Sequence, residues 1–412
     1  MESAGLLRHL AFFEELGNMD ETDPSWRSVG AGLVAMRLVD SWIEDGATPS
    51  RIDSWGVSAV REAIAEVPET TPLRRILSGI VDIIVSSTSI DMHALIPRLM
   101  AYGQALDYES KFALAADVYT TIIFHAHPVD DADLVVNAHI QLAFCQRTLG
   151  DHLTARETYA QAARVAQASG DMLGVLRARL GDAKLAIARG NIPEAEALLD
   201  ESIARAREFN APAECANALH ERAHVAGLRG QYERSIDFAY QALELAVGQR
   251  DRDRILADIA ASFMYLGLLD VARDAYLVLA STAQEQYARW NSELNLMEIA
   301  AKEGTELRFD KYRRELATAE FTPQLRVVYL LHVGRGYDIL GKPEAGIGYL
   351  QRAVDLAARY SFNQLVFEAE QALAVARRRT TRQRVQPPRE VPPVIQHVIG
   401  VISGMKQLVS AD

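Results

Sequence analysis

The chain has 412 residues, 49% of them hydrophobic and 7% aromatic, and a formal net charge of −12 at pH 7. That length exceeds what one compact core usually holds, which points to several domains or a repeat array. The acidic balance argues against general nucleic-acid binding. Alanine dominates the apolar set and sustained period-two alternation is missing, so an all-α chain of closely packed helices is expected.

The first residues, MESAGLLRHLAFFEELGNMDE, lack both a basic start and a small-residue cleavage site, and so do not read as a secretory signal. No apolar run approaches the ~18–20 residues a bilayer span needs. Residues 1–95 carry helical patterns at roughly 3–17, 25–45, 53–67 and 71–87, together with Trp26, Trp42 and Trp55. They are expected to form a helical bundle or cap, with an effector-binding module as the sharper alternative. The two cysteines, Cys145 and Cys215, are too few for a disulfide framework and predict core positions in a reducing, cytoplasmic compartment.

From residue 96 a repeat takes over. Gly150, Gly190, Gly230, Gly267, Gly304 and Gly341 fall at intervals of 40, 40, 40, 37 and 37 residues. Seven residues before each glycine stand Ala143, Ala183, Ala223, Ala260, Met297 and Gly334. Five after come Ala155, Ala195, Ser235, Ala272, Phe309 and Gly346, and nine after Tyr159, Leu199, Ala239, Tyr276, Arg313 and Leu350. Small residues at fixed offsets on both sides of a glycine describe two antiparallel helices that cross closely. The glycine ends the first of them in the left-handed conformation. An earlier unit fits with Ser110 in the glycine slot, Gly103 seven before, Ala115 five after and Tyr119 nine after. The unit around Gly304 departs from the pattern at Met297, Phe309 and Arg313.

In these residues, for example LAFCQRTLGDHLTARETYAQAARVA (142–166) and VGRGYDILGKPEAGIGYLQRAVDLA (333–357), the chain resembles the tetratricopeptide-repeat family. The resemblance covers about seven units over 96–376. It implies a right-handed superhelical α-solenoid, preceded by the N-terminal bundle and followed by a C-terminal helix. It further implies that the first helix of each unit lines a concave groove that binds a partner's peptide or helix. Positions thirteen, ten and six before each turn glycine then share the inner stripe. The candidate peptide-binding residues are Asn137, Phe144, Arg177, Lys184, Asn217, His220, His224, Arg254, Asn291 and Arg335. Amides can pair with a peptide backbone whatever its side chains, and the cations with carboxylates. In outline the arrangement is also similar to peptide-responsive regulators such as the Rap family, without a specific motif.

A competing chemistry is present. His220-Glu221-Arg222-Ala223-His224 reads H-E-x-x-H, the pattern of a zinc-dependent hydrolase with two imidazoles one turn apart and a general base between them. The repeat, however, already accounts for Ala223 and Gly230. His125, His127, Asp130, Asp131 and Asp133 form a second polar cluster, read as a solvated loop. No phosphate loop, nucleophile elbow or C-x-x-C pair occurs.

Residues 377–393 form a linker with six arginines against Glu390 (a local +5 over 377–390), followed by prolines. Residues 394–412 end the chain. Within them Val394, Ile395, Val398, Ile399, Ile402, Met405, Leu408 and Val409 lie along one side of a predicted helix over 394–409, interrupted by Gly400 and Gly404. That helix is expected to dock somewhere on the same chain, with the groove or the last unit as candidate places, or on a second copy. The reading is a non-enzymatic interaction scaffold or regulator that needs no cofactor or metal, contacts neither nucleic acid nor membrane, and is modulated by its own C-terminal helix.

Overall fold

The computed structural model describes residues 8–44, 54–86, 91–126, 131–360, 362–378 and 392–409. Among them are twenty α-helices and no strand, and no helix is long and apolar enough to cross a membrane. His127, Asp130, Arg379, Arg382, Arg384 and Arg389 lie outside the described residues, as does the side chain of Trp55. The chain divides into two compact units, 1–198 and 199–412.

The first unit opens with α1 (Leu10–Asn18), α2 (Pro24–Glu44), α3 (Ser54–Ala65) and α4 (Pro72–Ser86). They enclose Phe12, Met36, Trp42, Leu77 and Ile80, all fully buried, and this core continues into the first repeat pair through Leu99, Tyr102 and Tyr119. The pairs that follow are α5 (Met92–Tyr108) with α6 (Phe112–His125), and α7 (Ala132–Thr148) with α8 (His152–Ser169), then α9 (Met172–Ala188). Helix α10 (Ile192–Glu208) carries the division between the units.

The second unit continues with α11 (Pro212–Leu228) and α12 (Tyr232–Leu245), α13 (Gln249–Tyr265) and α14 (Leu269–Thr282), and α15 (Gln286–Lys302) and α16 (Glu306–Ala317). It ends with α17 (Pro323–Ile339) and α18 (Pro343–Arg359), α19 (Asn363–Arg377) and α20 (Pro393–Val409).

One hydrogen-bond pattern closes the first helices α5, α7, α9, α11, α13, α15 and α17. The residue after each turn glycine donates its N–H to the carbonyl five positions back, as in Asp151 to Gln146, Asn191 to Ala186 and Gln231 to Ala226 at 2.9 Å each. Such a bond needs the preceding residue in the left-handed region, and all six turn glycines have φ between 69° and 86°. Ser110 takes the same conformation at φ 63°. Two connections between pairs use the same device at Gly170 (φ 76°) and Asn210 (φ 49°), which the spacing of the main turns does not flag.

The crossing residues are buried as the offsets demand: Ala143, Ala155, Ala183, Ala195, Ala260 and Ala272 have no accessible surface. In the α17–α18 pair both crossing residues are glycine, and a Cβ on Gly346 would sit 2.5 Å from the Gly334 carbonyl oxygen. Helix backbones here touch directly. The α15–α16 pair solves its irregularity differently. Phe309 is fully buried, and its ring fills the place a side chain at Gly336 would take. Arg313 stays partly exposed, 3.0 Å from Asp310.

Candidate functional site on the first helices

Neighbouring first helices touch one another: α5 with α7, α7 with α9, α11 with α13, α13 with α15, α15 with α17 and α17 with α19. No neighbouring second helices make comparable contact among the described residues. Within each unit, the residues thirteen and six before each turn therefore stand on adjoining helices, where one helix can reach the next.

In the first unit this reach is used. Arg177 on α9 donates to the Asn137 side-chain oxygen on α7 at 2.9 Å and lies 3.3 Å from Asp171. Phe144 packs edge-on against Phe112 with ring centres 5.9 Å apart, and the Arg147 guanidinium lies 5.4 Å above its ring. Lys184 is partly buried on α9. Three of these four predicted residues fall in two local clusters, Asn137 with Arg177 and Phe144 with its aromatic neighbour.

In the second unit three rungs join successive first helices. His220 on α11 meets Asp258 on α13 at 2.6 Å. Glu298 on α15 meets His332 on α17 at 3.0 Å and Lys302 at 2.9 Å. Arg335 on α17 faces Glu368 on α19 at 3.6 Å. Burial acts to raise the Glu298 carboxyl, but the His332 and Lys302 contacts outweigh it and hold it well below the usual carboxylate range. Tyr265, at the end of α13, stacks flat on Tyr232 of α12 at 4.9 Å. Burial and the nearby Glu298 push the Tyr265 hydroxyl up from its ordinary value.

Between the rungs some side chains stay uncommitted. Asn217, His224 and Arg254 are exposed and have no hydrogen-bond or ion-pair partner among the described residues. Asn291 is half-buried; its backbone carbonyl accepts from Asn295, and its amide group has no partner among the described residues. The stripe expected from the sequence did not include the internal partners Asp258, His332 and Glu368. The available signal was a complementary polar residue about one repeat away, at separations of 40 for Asn137–Arg177 and 38 for His220–Asp258.

The H-E-x-x-H segment is occupied by packing. His220 is turned to Asp258, and Arg222 is buried with its Nε donating to Asp200 at 2.9 Å and its guanidinium over the Phe238 ring. Among the described residues no group of three or more His, Cys, Asp or Glu side chains converges on a point that could hold a metal.

The C-terminal helix docks on its own chain, but neither in the groove nor over the last unit. α20 lies on the second helices α14 and α12, away from the first-helix row and from the last pair. Its stripe of Ile395, Val398 and Ile402 is 1–2% exposed.

No family model matches the chain, and no curated protein matches it. Solved structures do. The Rap conjugation gene regulator of plasmid pLS20, in complex with the Phr* peptide, has a TM-score of 0.51 at 10% identity, covering 86% of this chain and 98% of that one. NprR in complex with its cognate peptide NprX gives 0.48 at 11% identity, over 84% and 90%. A signal transduction ATPase with a tetratricopeptide repeat sensor from Pyrococcus horikoshii gives 0.44 at 11% identity, over 90% and 68%. The regular helix pairs, the shared turn bond and the small-residue crossings give this chain the all-α fold of tetratricopeptide-type repeat proteins.

Proposed function

We propose that this protein is a non-enzymatic, peptide-responsive regulator or scaffold that takes an extended segment of a protein partner along its first helices. The observation that carries this reading is the uncommitted polar set Asn217, His224 and Arg254, set among rungs that are already satisfied. Asn217 and Arg254 each stand thirteen residues before their turn glycine, so they occupy equivalent places on adjacent helices. An exposed amide can pair with a peptide N–H and C=O at once, and Arg254 is suited to a carboxylate of the ligand. The rungs hold the helices in register, so little ordering cost falls on binding. The peptide carried by the Rap regulator in its own structure supports the same use of this fold. Two buried free cysteines fit a cytoplasmic setting.

The experiment is selection of a displayed random-peptide library on the unaltered chain, with counter-selection on the Asn217→Ala/Arg254→Glu variant. Selected peptides should be enriched in acidic side chains and lose at least tenfold in affinity on the variant. Peptides that bind both proteins equally would sink the proposed site.

A further inference from the structure

The placement of α20 concerns a different face of the molecule. Chain order would put it beside α19, yet it lies on α12 and α14, the second helices of two consecutive earlier pairs. Ile395, Val398 and Ile402 form its buried stripe. Two polar contacts fix its direction. His397 Nε2 and the Tyr240 hydroxyl are 3.1 Å apart, with the rings edge to face, and Lys406 donates to Asp274 at 2.6 Å. The contact is therefore specific at both ends of the helix.

The helix itself is kept weak. Gly400 and Gly404 are exposed, and a Cβ added at either would meet nothing within 4 Å. Packing makes no demand for glycine at these positions. Each glycine in place of alanine lowers a helix equilibrium roughly four- to fivefold, so the pair costs α20 on the order of twentyfold. A helix with a specific seat and two unforced glycines is built to sit and to leave.

The geometry points to a second binding site, independent of the first-helix row: the outer face of α12 and α14 is a docking surface for an amphipathic helix, and α20 is its resident, releasable occupant. A partner that takes this face presents aliphatic residues at i, i+3 and i+7 and a basic residue at i+11, the spacing of Ile395, Val398, Ile402 and Lys406. It gains access only when α20 departs.

The test titrates a labelled synthetic peptide of residues 392–412 into the full chain, its Ile402→Asp variant and its Gly400→Ala/Gly404→Ala variant. In the Ile402→Asp chain the resident helix is expelled, and the peptide should bind at least tenfold more tightly than to the unaltered chain. There, covalent attachment keeps the resident at an effective concentration in the millimolar range. The alanine pair should bind more weakly than the unaltered chain, and adding Asp274→Lys to Ile402→Asp should abolish the gain. Equal binding by all of them, or none by any, overturns the proposal. If the Ile402→Asp chain fails to fold, hydrogen exchange on the other two decides. Amides of 395–408 should exchange at least tenfold faster than those of α12 and α14, and about tenfold more slowly in the alanine pair. Exchange of α20 at the rate of α12 and α14 overturns it equally.

Discussion

His9 Nδ1 lies 2.6 Å from Asp117 Oδ1, across a separation of 108 residues, and ties the start of α1 to α6 of the first repeat pair. Its other ring nitrogen is 3.1 Å from Asp40 Oδ2 on α2, and the second Asp40 oxygen is 2.8 Å from His125 Nε2. A ring with a carboxylate at each nitrogen can donate to both only when doubly protonated. Burial opposes that charge, but the hydrogen bonds to Asp117 and Asp40 outweigh it and raise the ring to about 9. His9 also holds a left-handed backbone at φ 61°, a strain the two bonds offset.

A histidine raised from 6.5 to about 9 contributes stability that is complete below 6.5 and is lost as the pH rises through 9. Asp40 works in the opposite sense. Burial tends to raise its carboxyl, but hydrogen bonds from His125 and His9 hold it well below the usual range. Its contribution is therefore lost only in strong acid. The expected outcome is a stability plateau near neutrality and a decline between pH 7 and 10. His9→Gln should cost roughly 2–3 kcal/mol at pH 7 and flatten that decline. Urea unfolding at several pH values measures both, and parallel pH profiles for the two proteins would show that His9 is not charged.

Where sequence is informative here, it is because the fold repeats. The turn glycines and the small residues at Ala143, Ala155, Ala183 and Ala195 obey local geometric demands, and each demand recurs at a fixed offset. The stripe carrying Asn217 and Arg254 follows from the same register. What repetition does not encode stayed hidden. The His9–Asp117 link joins residues from a non-repeating bundle and a repeat, with no period to connect them. The turns at Gly170 and Asn210 use two residue types, which breaks the visual ladder. The seat of α20 depends on the outer faces of α12 and α14, and an amphipathic stripe specifies a need for cover without naming the cover.

The turn at Ser110 tests how much the left-handed residue matters. Its φ of 63° costs a serine roughly 1–2 kcal/mol, and its side chain makes no hydrogen bond among the described residues that would be forfeited. Ser110→Gly should therefore stabilise the chain by about 0.5–1 kcal/mol after the added unfolded-state entropy is counted. Gly150→Ala should do the reverse by about 1 kcal/mol. A Cβ there meets nothing within 4 Å, so the loss comes from the backbone alone. Chemical unfolding of both variants checks the pair, and destabilisation by Ser110→Gly would contradict the shared turn geometry.

Phe309 and Gly336 act as one packing unit. A Cβ on Gly336 would lie 2.2 Å from the Phe309 ring, which is fully buried and edge-on to Tyr337 at 5.2 Å. Phe309→Ala should cost about 3–5 kcal/mol through the cavity it leaves. Gly336→Ala should also destabilise, because the ring must move from a filled site. Combined, the two changes should cost at least 1 kcal/mol less than their sum, since the new methyl enters the space the ring vacated. A double-mutant cycle by thermal unfolding gives the coupling, and strict additivity would mean that the ring and the glycine are independent.

Asp182 presents the opposite case from Asp40, a carboxylate that folding leaves partly buried without a hydrogen bond or ion pair among the described residues. Burial pushes it up to about 6, and the charges of Arg156 and Arg179 offset only part of that. A carboxyl raised from its ordinary value favours the folded state while protonated. The resulting penalty appears as the pH rises from about 4 and is complete above 6. Asp182→Asn removes the charge and should stabilise the chain at pH 7.5 by about 1–2 kcal/mol, a figure already reduced for the solvent that reaches the group. The gain should vanish at pH 4, where the carboxyl is neutral in the folded state. Unfolding curves at the two pH values decide it. A gain equal at both would reflect altered packing rather than charge, and a loss at pH 7.5 would mean that the charge is needed on α9.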